Sequence, residues 1–334
     1  MDTGSNPPMK ILVTGATGKV GSTFIRTLLA DPTANDVQII ALCHQREPKA
    51  HPRITVVKGS ISDRAVVQRA MAGATHVLHL ATCKEIPEDV MDVTVKGLFW
   101  LLEEARASAT LQRFVLIGGD ASVGHFIYPH PVPVTETQRH TAYEGCYALS
   151  KVLEEVMLEQ YLIQYHLNAC CLRAPWIMEK DDFKFSNSFG EDVFGGTRWI
   201  DVVGKEKAAG YQRTGTIPVM LDAQGKPVQR NFVHVDDLVA AIRVALVHPA
   251  ARGQTFNICM DEPVDYRKVA DHLRATRSLP AVDVPTTYCS TWLDNTKAKF
   301  LLGWRPVYDL KKLVDAAYDY QRGADDPRRI WYPG

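Results

Sequence analysis

The sequence lacks the features that mark membrane, secreted or nucleic-acid-binding proteins. No apolar run approaches the roughly 20 residues that a membrane-spanning helix needs. The first residues, MDTGSNPP, lack the charged-then-apolar pattern of a secretory signal, and we expect a flexible leader. Lys plus Arg and Asp plus Glu each number 38 in 334 residues, so the formal charge is zero. We therefore expect no nucleic-acid or membrane partner, and any bound anion must be held by loops or helix ends.

The cysteines and histidines do not form a recognisable ligand pattern. The chain has 7 cysteines, an odd number, and no Cys-x-x-Cys pair. This argues against a disulfide framework and against a zinc site. His125, His130 and His140 lie in a long loop without accompanying ligand spacing, and we expect them to be surface polar groups. The expectation is a cytoplasmic protein without a bound metal.

What the sequence does contain is a regular alternation of two patterns in its first half. Near-continuous β-branched runs predict strands over residues 10–14, 37–42, 54–57, 75–80 and 113–117. Helix-spaced apolar residues predict helices over residues 19–30, 62–71 and 88–108. Buried strands separated by helices indicate an α/β fold with a doubly wound parallel sheet, covered on both faces.

The alternation loosens after Pro175. Residues 179–215 mix Gly, Asp, Phe and Trp and have the composition of a substrate-facing insert. Further patterns predict helices over residues 235–247, 265–277, 295–302 and 309–320 and a strand over 255–258. We expect a first domain over residues 9–175 and a smaller α/β second domain over residues 176–330, with some elements returning to the first.

A glycine-rich turn follows the first predicted strand. It reads Gly15-Ala-Thr-Gly18-Lys-Val-Gly21 and leads directly into a helical pattern. Glycines there let the backbone approach a pyrophosphate, and the helix N-terminus offers free N–H groups and a positive dipole. Such turns also occur for packing reasons alone, but the position at the first strand favours dinucleotide binding. The candidate contacts are Gly15, Thr17, Gly18, Lys19, Val20 and Gly21.

The end of the second predicted strand bears on which nicotinamide cofactor is used. NAD-binding proteins usually place a carboxylate there, for the ribose hydroxyls. Here the strand is followed by Cys-His44-Gln-Arg46, with no carboxylate until Glu47. Arg46, helped by His44, could meet a 2′-phosphate, although both could equally be solvated loop residues. We therefore expect NADP or NAD, with NADP favoured.

Tyr147 and Lys151 form a Tyr-x-x-x-Lys pair at the start of a long helical pattern. Residues at this spacing lie on one helix face, one turn apart. A tyrosine near a cationic lysine and an oxidised nicotinamide has its phenolate stabilised, so it can exchange a hydroxyl proton during hydride transfer. The spacing alone is weak evidence, since Tyr308 and Lys312 repeat it where we expect no chemistry.

In this setting the chain resembles the extended short-chain dehydrogenase/reductases, specifically the NAD-dependent epimerase/dehydratase family, which acts largely on nucleotide sugars. The resemblance spans residues 10–320. Its motifs, in chain order, are TGATGKVG, HLAT, DVTVKGLFWLLEEA, YALSK, LRAP, RNFVHVDDLVAAI, TFNI and FLLGWRP. It implies a Rossmann sheet and a homodimer formed through the helices over 88–108 and from about 147.

The resemblance also implies roles for matching positions. The glycines would cradle the pyrophosphate, Tyr147 would be the acid/base, and Lys151 would hold the ribose and tune Tyr147. The further cofactor contacts that it implies are Ser60 and Ile61 at the adenine, Leu80, Ala81 and Thr82 at the ribose and nicotinamide, and Pro175 and Ile177 behind the nicotinamide. The expected substrate contacts are Thr82, Gly119 and Arg230, the last matching a basic residue that meets a diphosphate. Trp176 and Trp199 could wall a substrate pocket, although at least one of them is expected to pack in the core.

The chain departs from the family pattern at the end of the fifth predicted strand. The hydroxyl that normally assists the tyrosine falls on Gly119. A neighbour such as Ser122, Thr82 or Asp120 could replace it, the substrate could supply its own hydrogen bond, or catalysis could be impaired. We include Asp120 and Ser122 among the candidate catalytic residues. Ala121 stands where dehydratases carry Glu, which argues against 4,6-dehydration.

Three functions stay open on these residues. The first is a dehydrogenase or reductase that exchanges its cofactor and acts on a secondary alcohol or ketone of a sugar, sugar acid or nucleotide sugar. The second is a nucleotide-sugar epimerase that retains NAD. The third, favoured by Gly119, is a cofactor-binding regulator without turnover. The missing carboxylate after the second strand and the missing hydroxyl favour the first.

Overall fold

A computed structural model describes residues 8–190 and 198–328 of the chain. Most of the expected leader, residues 191–197 of the insert, and residues 329–330 at the end of the expected second domain lie outside the described residues. Within the described ranges, no helix is both long and apolar enough to cross a membrane.

A parallel sheet of seven strands forms the centre of the molecule. In chain order its strands are β1 (Lys10–Thr14), β2 (Gln38–Cys43), β3 (Ile54–Lys58), β4 (His76–His79), β5 (Arg113–Gly119), β6 (Ala169–Ala174) and, after four strands outside this sheet, β11 (Thr255–Asn257). Their spatial order is β3-β2-β1-β4-β5-β6-β11, and every neighbouring pair is parallel. The sheet is doubly wound, as predicted, because the strand order runs outward in both directions from β1 and β4.

The helices lie on both faces of this sheet. Those of the first half are α1 (Lys19–Ala30), α2 (Arg64–Met71), α3 (Pro87–Val90), α4 (Gly97–Ala107) and α5 (Cys146–Tyr165). Apolar residues of α1 pack with those of α9 (Val235–Val247) against one face, and α2, α4 and α5 supply the core on the other. The expected Rossmann arrangement is therefore present, with α9 returning from the second half.

The helix predicted over residues 88–108 is not continuous. Residues Met91–Lys96 form a π-helix between α3 and α4. Thr94, buried in this segment, accepts a hydrogen bond from the Cys83 N–H at 2.8 Å. The π-helix is thus hydrogen-bonded to the loop that follows β4. This loop lies at the carboxyl edge of the sheet, where ligands bind in this class of fold.

The second half builds a separate apolar core beside the sheet. Its strands pair in twos, namely β7 (Trp176–Met178) with β10 (Phe232–His234), β8 (Ile217–Leu221) with β13 (Ala281–Pro285), and β9 (Gln229–Arg230) with β12 (Val264–Asp265). Its remaining helices are α6 (Asp182–Ser186), α7 (Trp199–Val203), α8 (Lys205–Arg213), α10 (Tyr266–Arg277), α11 (Thr296–Leu302) and α12 (Leu310–Asp319). The described residues of the 179–215 insert thus include three short helices, and this part of the chain is more regular than its composition indicates.

The connection between α9 and the segment before α12 explains two of the sequence motifs. The Asp237 carboxylate accepts hydrogen bonds from the N–H groups of Val307 and Tyr308 at 2.9 and 3.0 Å. The Trp304 indole donates to the Asp237 carbonyl at 3.0 Å. The HVDD and GWRP motifs are therefore structural partners that fix the chain end beside α9.

Candidate functional site

The site is built where the carboxyl ends of β1, β4, β5 and β6 meet. The glycine-rich turn leaves β1 with Gly15 at φ +64°, a left-handed conformation that side chains disfavour. A Cβ on Gly15 would come within 3.0 Å of the backbone between Leu80 and Ala81, at the end of β4. A Cβ on Gly21 would overlap the Gly15 carbonyl oxygen. These two glycines therefore permit a close approach of turn, helix and strand.

The N-terminus of α1 faces this turn and is not capped by a side chain. Gly18 occupies the cap position, and its N–H donates to the Gly15 carbonyl at 3.0 Å. The first helical N–H groups thus retain their hydrogen-bonding capacity and the positive end of the helix dipole. This cradle fits a pyrophosphate, and Gly15, Thr17, Gly18, Val20 and Gly21 are all placed within it or on its helix.

The side chain of Lys19 forms an ion pair between two helices. Its ammonium is buried, donates to the Ile177 carbonyl at 2.8 Å and forms an ion pair with Asp182 at 2.5 Å. Burial lowers the pKa of Lys19, against the pull of the Asp182 carboxylate. The ammonium therefore joins α1 to α6. No local pattern pointed to this contact, because Asp182 is distant along the chain.

Tyr147 and Lys151 project from the first turns of α5, as the spacing predicts. Lys151 is buried and its Nζ lies 5.8 Å from the centre of the Tyr147 ring. The ammonium donates to the Ile117 carbonyl at 3.3 Å and pairs with Glu154 at 2.7 Å. Burial opposes the charge on Lys151, but the Glu154 carboxylate and Tyr147 outweigh it, so its pKa lies above the usual value. The lysine is thus held as a cation beside the tyrosine.

Two residues of the loop after β4 complete the surroundings of Tyr147 and were not predicted. The Lys84 ammonium lies over the Tyr147 ring, 3.9 Å from its centre. The Glu85 carboxylate accepts the Tyr147 N–H at 3.2 Å and so caps the start of α5. The only sequence signal is that both residues follow the HLAT motif, whose strand ends at this edge of the sheet.

Gly119 faces the tyrosine, as the register of β5 predicts. A Cβ built on Gly119 lies 3.7 Å from the Tyr147 hydroxyl oxygen and 3.8 Å from Lys151 Cδ. The backbone at Gly119 is extended, with φ −150°, so any residue could occupy it. The absent side chain leaves a small space beside the tyrosine hydroxyl, where a substrate oxygen could approach.

Ser122 does not replace the missing hydroxyl. Its side chain is fully buried below the site, with Oγ 2.9 Å from both the Gly119 carbonyl and Glu155 Oε1. Glu155 in turn pairs with Arg173 at 2.7 Å. The prediction that Ser122 is catalytic is therefore wrong, because its hydroxyl belongs to a structural network inside the sheet.

Asp120 and Arg230 are joined through His125. The Asp120 carboxylate contacts His125 Nδ1 at 2.5 Å, and the Arg230 guanidinium donates to His125 Nε2. The expectation that His125 is a surface group is wrong, because its side chain is 16% exposed and both ring nitrogens have partners. Burial lowers the pKa of His125, against the pull of the Asp120 carboxylate. Asp120 stays at the edge of the site, next in the chain to Gly119.

Arg230 is covered by aromatic rings. It is 2% exposed, and its guanidinium carbon lies 4.1, 4.4 and 5.1 Å from the ring centres of Phe126, Trp176 and Phe232. The expected contact with a substrate diphosphate is not the arrangement seen here, because the cation is enclosed and bonded to His125. Trp176 instead forms part of the wall above it.

The adenine side of the site is more open. His44 and Arg46 are exposed just beyond the end of β2, while Glu47 pairs with Lys58 at 3.1 Å. Ser60 is half-buried after β3, and its hydroxyl lies 2.8 Å from that of Ser62. Ile61 is buried against the chain at Gly97. These residues follow the carboxyl ends of β2 and β3, on the same edge of the sheet as the glycine-rich turn.

The remaining candidates line the ends of β4 and β6. The N–H groups of Leu80 and Ala81 donate to the Thr14 hydroxyl at 3.0 and 3.1 Å. The Thr82 hydroxyl donates to the Cys83 carbonyl at 3.3 Å, so it is committed to its own loop. Pro175 and Ile177 follow β6 and flank Trp176. Within the two described ranges, no cluster of three or more His, Cys, Asp or Glu side chains has metal-binding geometry.

Comparisons with known proteins show the family of the chain and the fold that it shares. Residues 11–259 match the profile of the NAD dependent epimerase/dehydratase family. The chain is 28% identical to a UDP-glucose 4-epimerase of Mycolicibacterium smegmatis, covering 94% of this chain and 99% of that protein. It is 23% identical to a bifunctional dihydroflavonol 4-reductase/flavanone 4-reductase of Malus domestica, covering 95% and 87%. A short-chain dehydrogenase/reductase superfamily protein of Agrobacterium tumefaciens with bound NAD has the same fold, with a TM-score of 0.76, 24% identity and 92% and 95% coverage.

Proposed function

Because the chain belongs to the NAD-dependent epimerase/dehydratase family, we propose that it is an NAD(P)-dependent oxidoreductase. It acts on a secondary alcohol or ketone of a sugar, sugar acid or nucleotide sugar, with Tyr147 as the acid/base. The observation that carries this proposal is the position of the Tyr147 hydroxyl, which faces the open space at Gly119 with Lys151 buried behind it. A regulator that only binds the cofactor has no use for a cation held beside a phenol.

The residues present fit a nicotinamide dinucleotide. The turn from Gly15 to Gly21 and the N-terminus of α1 would hold its pyrophosphate, and Leu80, Ala81 and Pro175 would surround the nicotinamide end. When bound, the cofactor supplies or accepts the hydride. Tyr147 then donates or takes the proton of the substrate oxygen, and Lys151 stabilises the phenolate form. Lys84, whose ammonium lies 3.9 Å from the ring centre, adds a second positive charge.

We favour a dehydrogenase or reductase over an epimerase. An epimerase must hold its cofactor through both half-reactions, and that retention benefits from a carboxylate on the adenosine ribose, which the end of β2 lacks. The enclosed state of Arg230 also weakens the case for a diphosphate-linked substrate. The similarity to a UDP-glucose 4-epimerase supports the epimerase alternative. The similarity to a dihydroflavonol 4-reductase supports the dehydrogenase or reductase.

The proposed function is tested by incubating the protein with NADP⁺ or NAD⁺ and a panel of sugars, sugar acids and nucleotide sugars. Absorbance at 340 nm detects net reduction of the cofactor, and chromatography of the sugars detects epimers formed without it. Net reduction with at least one compound supports the dehydrogenase. Epimer formation without net reduction supports the alternative, and neither product across the panel favours the regulator.

Arg46 provides the test of cofactor preference. If it contacts a 2′-phosphate, Arg46→Ala lowers the preference for NADPH over NADH by about 10- to 100-fold, since a charge-assisted hydrogen bond is lost. The control is Lys49→Ala, which removes an exposed cation three residues further on. Titration of each variant with both nucleotides measures the ratio. An unchanged ratio in Arg46→Ala would rule out this assignment.

We also propose that the protein is a homodimer joined through α4 and α5. Leu149, Val156 and Ile163 are 50%, 36% and 61% exposed and recur every seven residues along α5, so they form one apolar stripe. Phe99 and Met91 are exposed on the neighbouring helical segment. An uncovered stripe of this kind on two adjacent helices favours association with a second copy.

Charge in this stripe should prevent dimer formation. We expect Val156→Glu/Ile163→Glu to be a folded monomer by light scattering coupled to size exclusion, while the unmodified protein has twice that mass. Val247→Glu is the control, because Val247 is 65% exposed, more than either substituted residue, but lies at the end of α9. A monomeric unmodified protein would contradict the proposal.

We propose that residues 9–175 bind the dinucleotide and that residues 176–330 mainly bind the substrate, with α9 and β11 contributed to the first unit.

We also propose a cytoplasmic location. It is supported by the seven cysteines, all of which are free thiols.

A further inference from the structure

Glu154 stands out among the buried charged residues because it contacts the lysine of the site. It follows Lys151 by three positions on α5, is buried, and its Oε2 lies 2.7 Å from Lys151 Nζ. Apart from this ion pair, neither of its oxygens has a hydrogen-bond donor among the described residues. A buried carboxylate is costly unless it is paired, so its main partner is the cation that lies behind Tyr147.

The second neighbour of Glu154 is His79, at the end of β4. The distance between His79 Nε2 and Glu154 Oε1 is 3.8 Å, and both side chains are buried. Burial, with a contribution from Lys151, lowers the pKa of His79 to about 3, so the ring is neutral. The proton of the neutral ring is on either Nδ1 or Nε2, and its position decides whether Nε2 presents an N–H or a lone pair to Glu154.

The hydrogen bonds of Thr14 fix that proton. The Thr14 hydroxyl oxygen accepts the N–H groups of Leu80 and Ala81, so its own proton is donated to His79 Nδ1, at 2.8 Å. His79 then carries its proton on Nε2, directed towards Glu154. The Glu154 carboxylate thus lies between the His79 N–H and the Lys151 ammonium. Both neighbours stabilise its negative charge.

We infer that Glu154 is a positioning residue that sets how strongly the Lys151 charge acts on Tyr147. Its negative charge keeps the buried lysine protonated, and its contact with Nζ fixes the position of the ammonium near the tyrosine ring. The consequence for turnover rests on the proposed function, but the effect on ionisation of Tyr147 does not require a substrate.

Other titratable groups face Glu154 and Lys151, and none of them except Tyr147 is substituted in the test. Burial raises the pKa of Glu154 itself, against the pull of Lys151. The groups that face Glu154 or Lys151 are Tyr147 and Glu155 on α5, His79 on β4, Lys84 in the following loop and Cys171 on β6.

The test is a titration of tyrosinate absorbance near 295 nm. The spectrum of each protein is compared with that of the same protein carrying Tyr147→Phe, so the difference reports Tyr147 alone. In Glu154→Gln we expect the ionisation midpoint of Tyr147 to rise by about one pH unit, because the buried lysine loses the carboxylate that keeps it charged and no longer stabilises the phenolate. Glu154→Asp keeps the charge and should restore a midpoint close to that of the unmodified protein.

Two further variants separate this effect from a structural one. Glu159→Gln removes an exposed carboxylate from the same helix and should leave the midpoint unchanged. If Glu154→Gln fails to fold, Glu154→Met removes the same charge without burying an unpaired amide, and the same rise is expected. A midpoint that is unchanged in the folded neutral variant, even with lowered thermal stability, would overturn the inference. The outcome is independent of whether any substrate is turned over.

Discussion

Tyr147→Phe is expected to reduce turnover by at least about 10³-fold while cofactor affinity stays within about twofold. Loss of a positioned general acid/base typically costs 10²- to 10⁴-fold. Here the available substitutes are poor, since Gly119 has no side chain and Ser122 is buried with Glu155. The substitution removes only the hydroxyl, so the ring still packs beneath Lys84. Steady-state kinetics with the best compound of the panel, together with nucleotide titration, measure both quantities.

The matched control is supplied by the second Tyr-x-x-x-Lys sequence. Tyr308 precedes α12, stacks on His234 with ring centres 3.7 Å apart, and has Lys312 Nζ 4.5 Å from its own ring centre. Tyr308→Phe and Lys312→Ala should leave turnover unchanged, because neither residue lies at the carboxyl ends of the sheet strands. Normal turnover in Tyr147→Phe would contradict the catalytic assignment. A large loss in Lys312→Ala would show that the wrong pair had been chosen.

Gly21→Ala is expected to weaken cofactor binding by at least about 100-fold and to destabilise the fold by about 1–3 kcal/mol, the usual cost of overpacking. The added methyl group would overlap the Gly15 carbonyl oxygen and lie 2.8 Å from Ala16 Cα. Both contacts are with backbone, so the whole turn must move. The N–H groups that would meet the pyrophosphate move with it. Calorimetric titration with NADPH and thermal unfolding measure the two effects.

Gly210 provides the control for this substitution. It lies inside α8, and the nearest atom to a methyl group added there would be the flexible end of Arg213, at 4.0 Å. Gly210→Ala should bind NADPH normally and be slightly more stable, because alanine favours a helix more than glycine does. If Gly21→Ala also binds NADPH normally, the turn is a packing feature and the phosphate assignment is wrong.

The parts of the fold that were predictable depend on contacts close together in the sequence. The bounds of β1, α1 and α9 agree with the predicted ranges to the residue, because β-branched runs and helical periodicity are local patterns. Strand β6 was not predicted as a strand, since its sequence ACCLRA contains no β-branched residue. Its place in the sheet comes from pairing with β5 and β11.

The same limit applies to the site. The glycine-rich turn and the Tyr147–Lys151 pair were visible because each is a short motif whose spacing dictates its geometry. The ion pair of Lys19 with Asp182 and the contact of His125 with Arg230 were not visible, because their partners are remote in the chain. The three-residue spacing on a helix predicts that Glu154 lies near Lys151. Its burial against His79 was not predictable, because it depends on the packing of α5 on β4.

The measurement that tests the proposed function most directly is mass spectrometry of the nucleotide released when freshly purified protein is denatured, followed by titration of the protein with NADPH and NADH. We predict a protein that is empty or carries less than one equivalent of nucleotide, and that binds NADPH more tightly than NADH at one site per chain. Stoichiometric NAD or NADH would instead support the epimerase and reverse the NADP preference. A protein that releases no nicotinamide nucleotide and binds neither would contradict the proposed function as a whole.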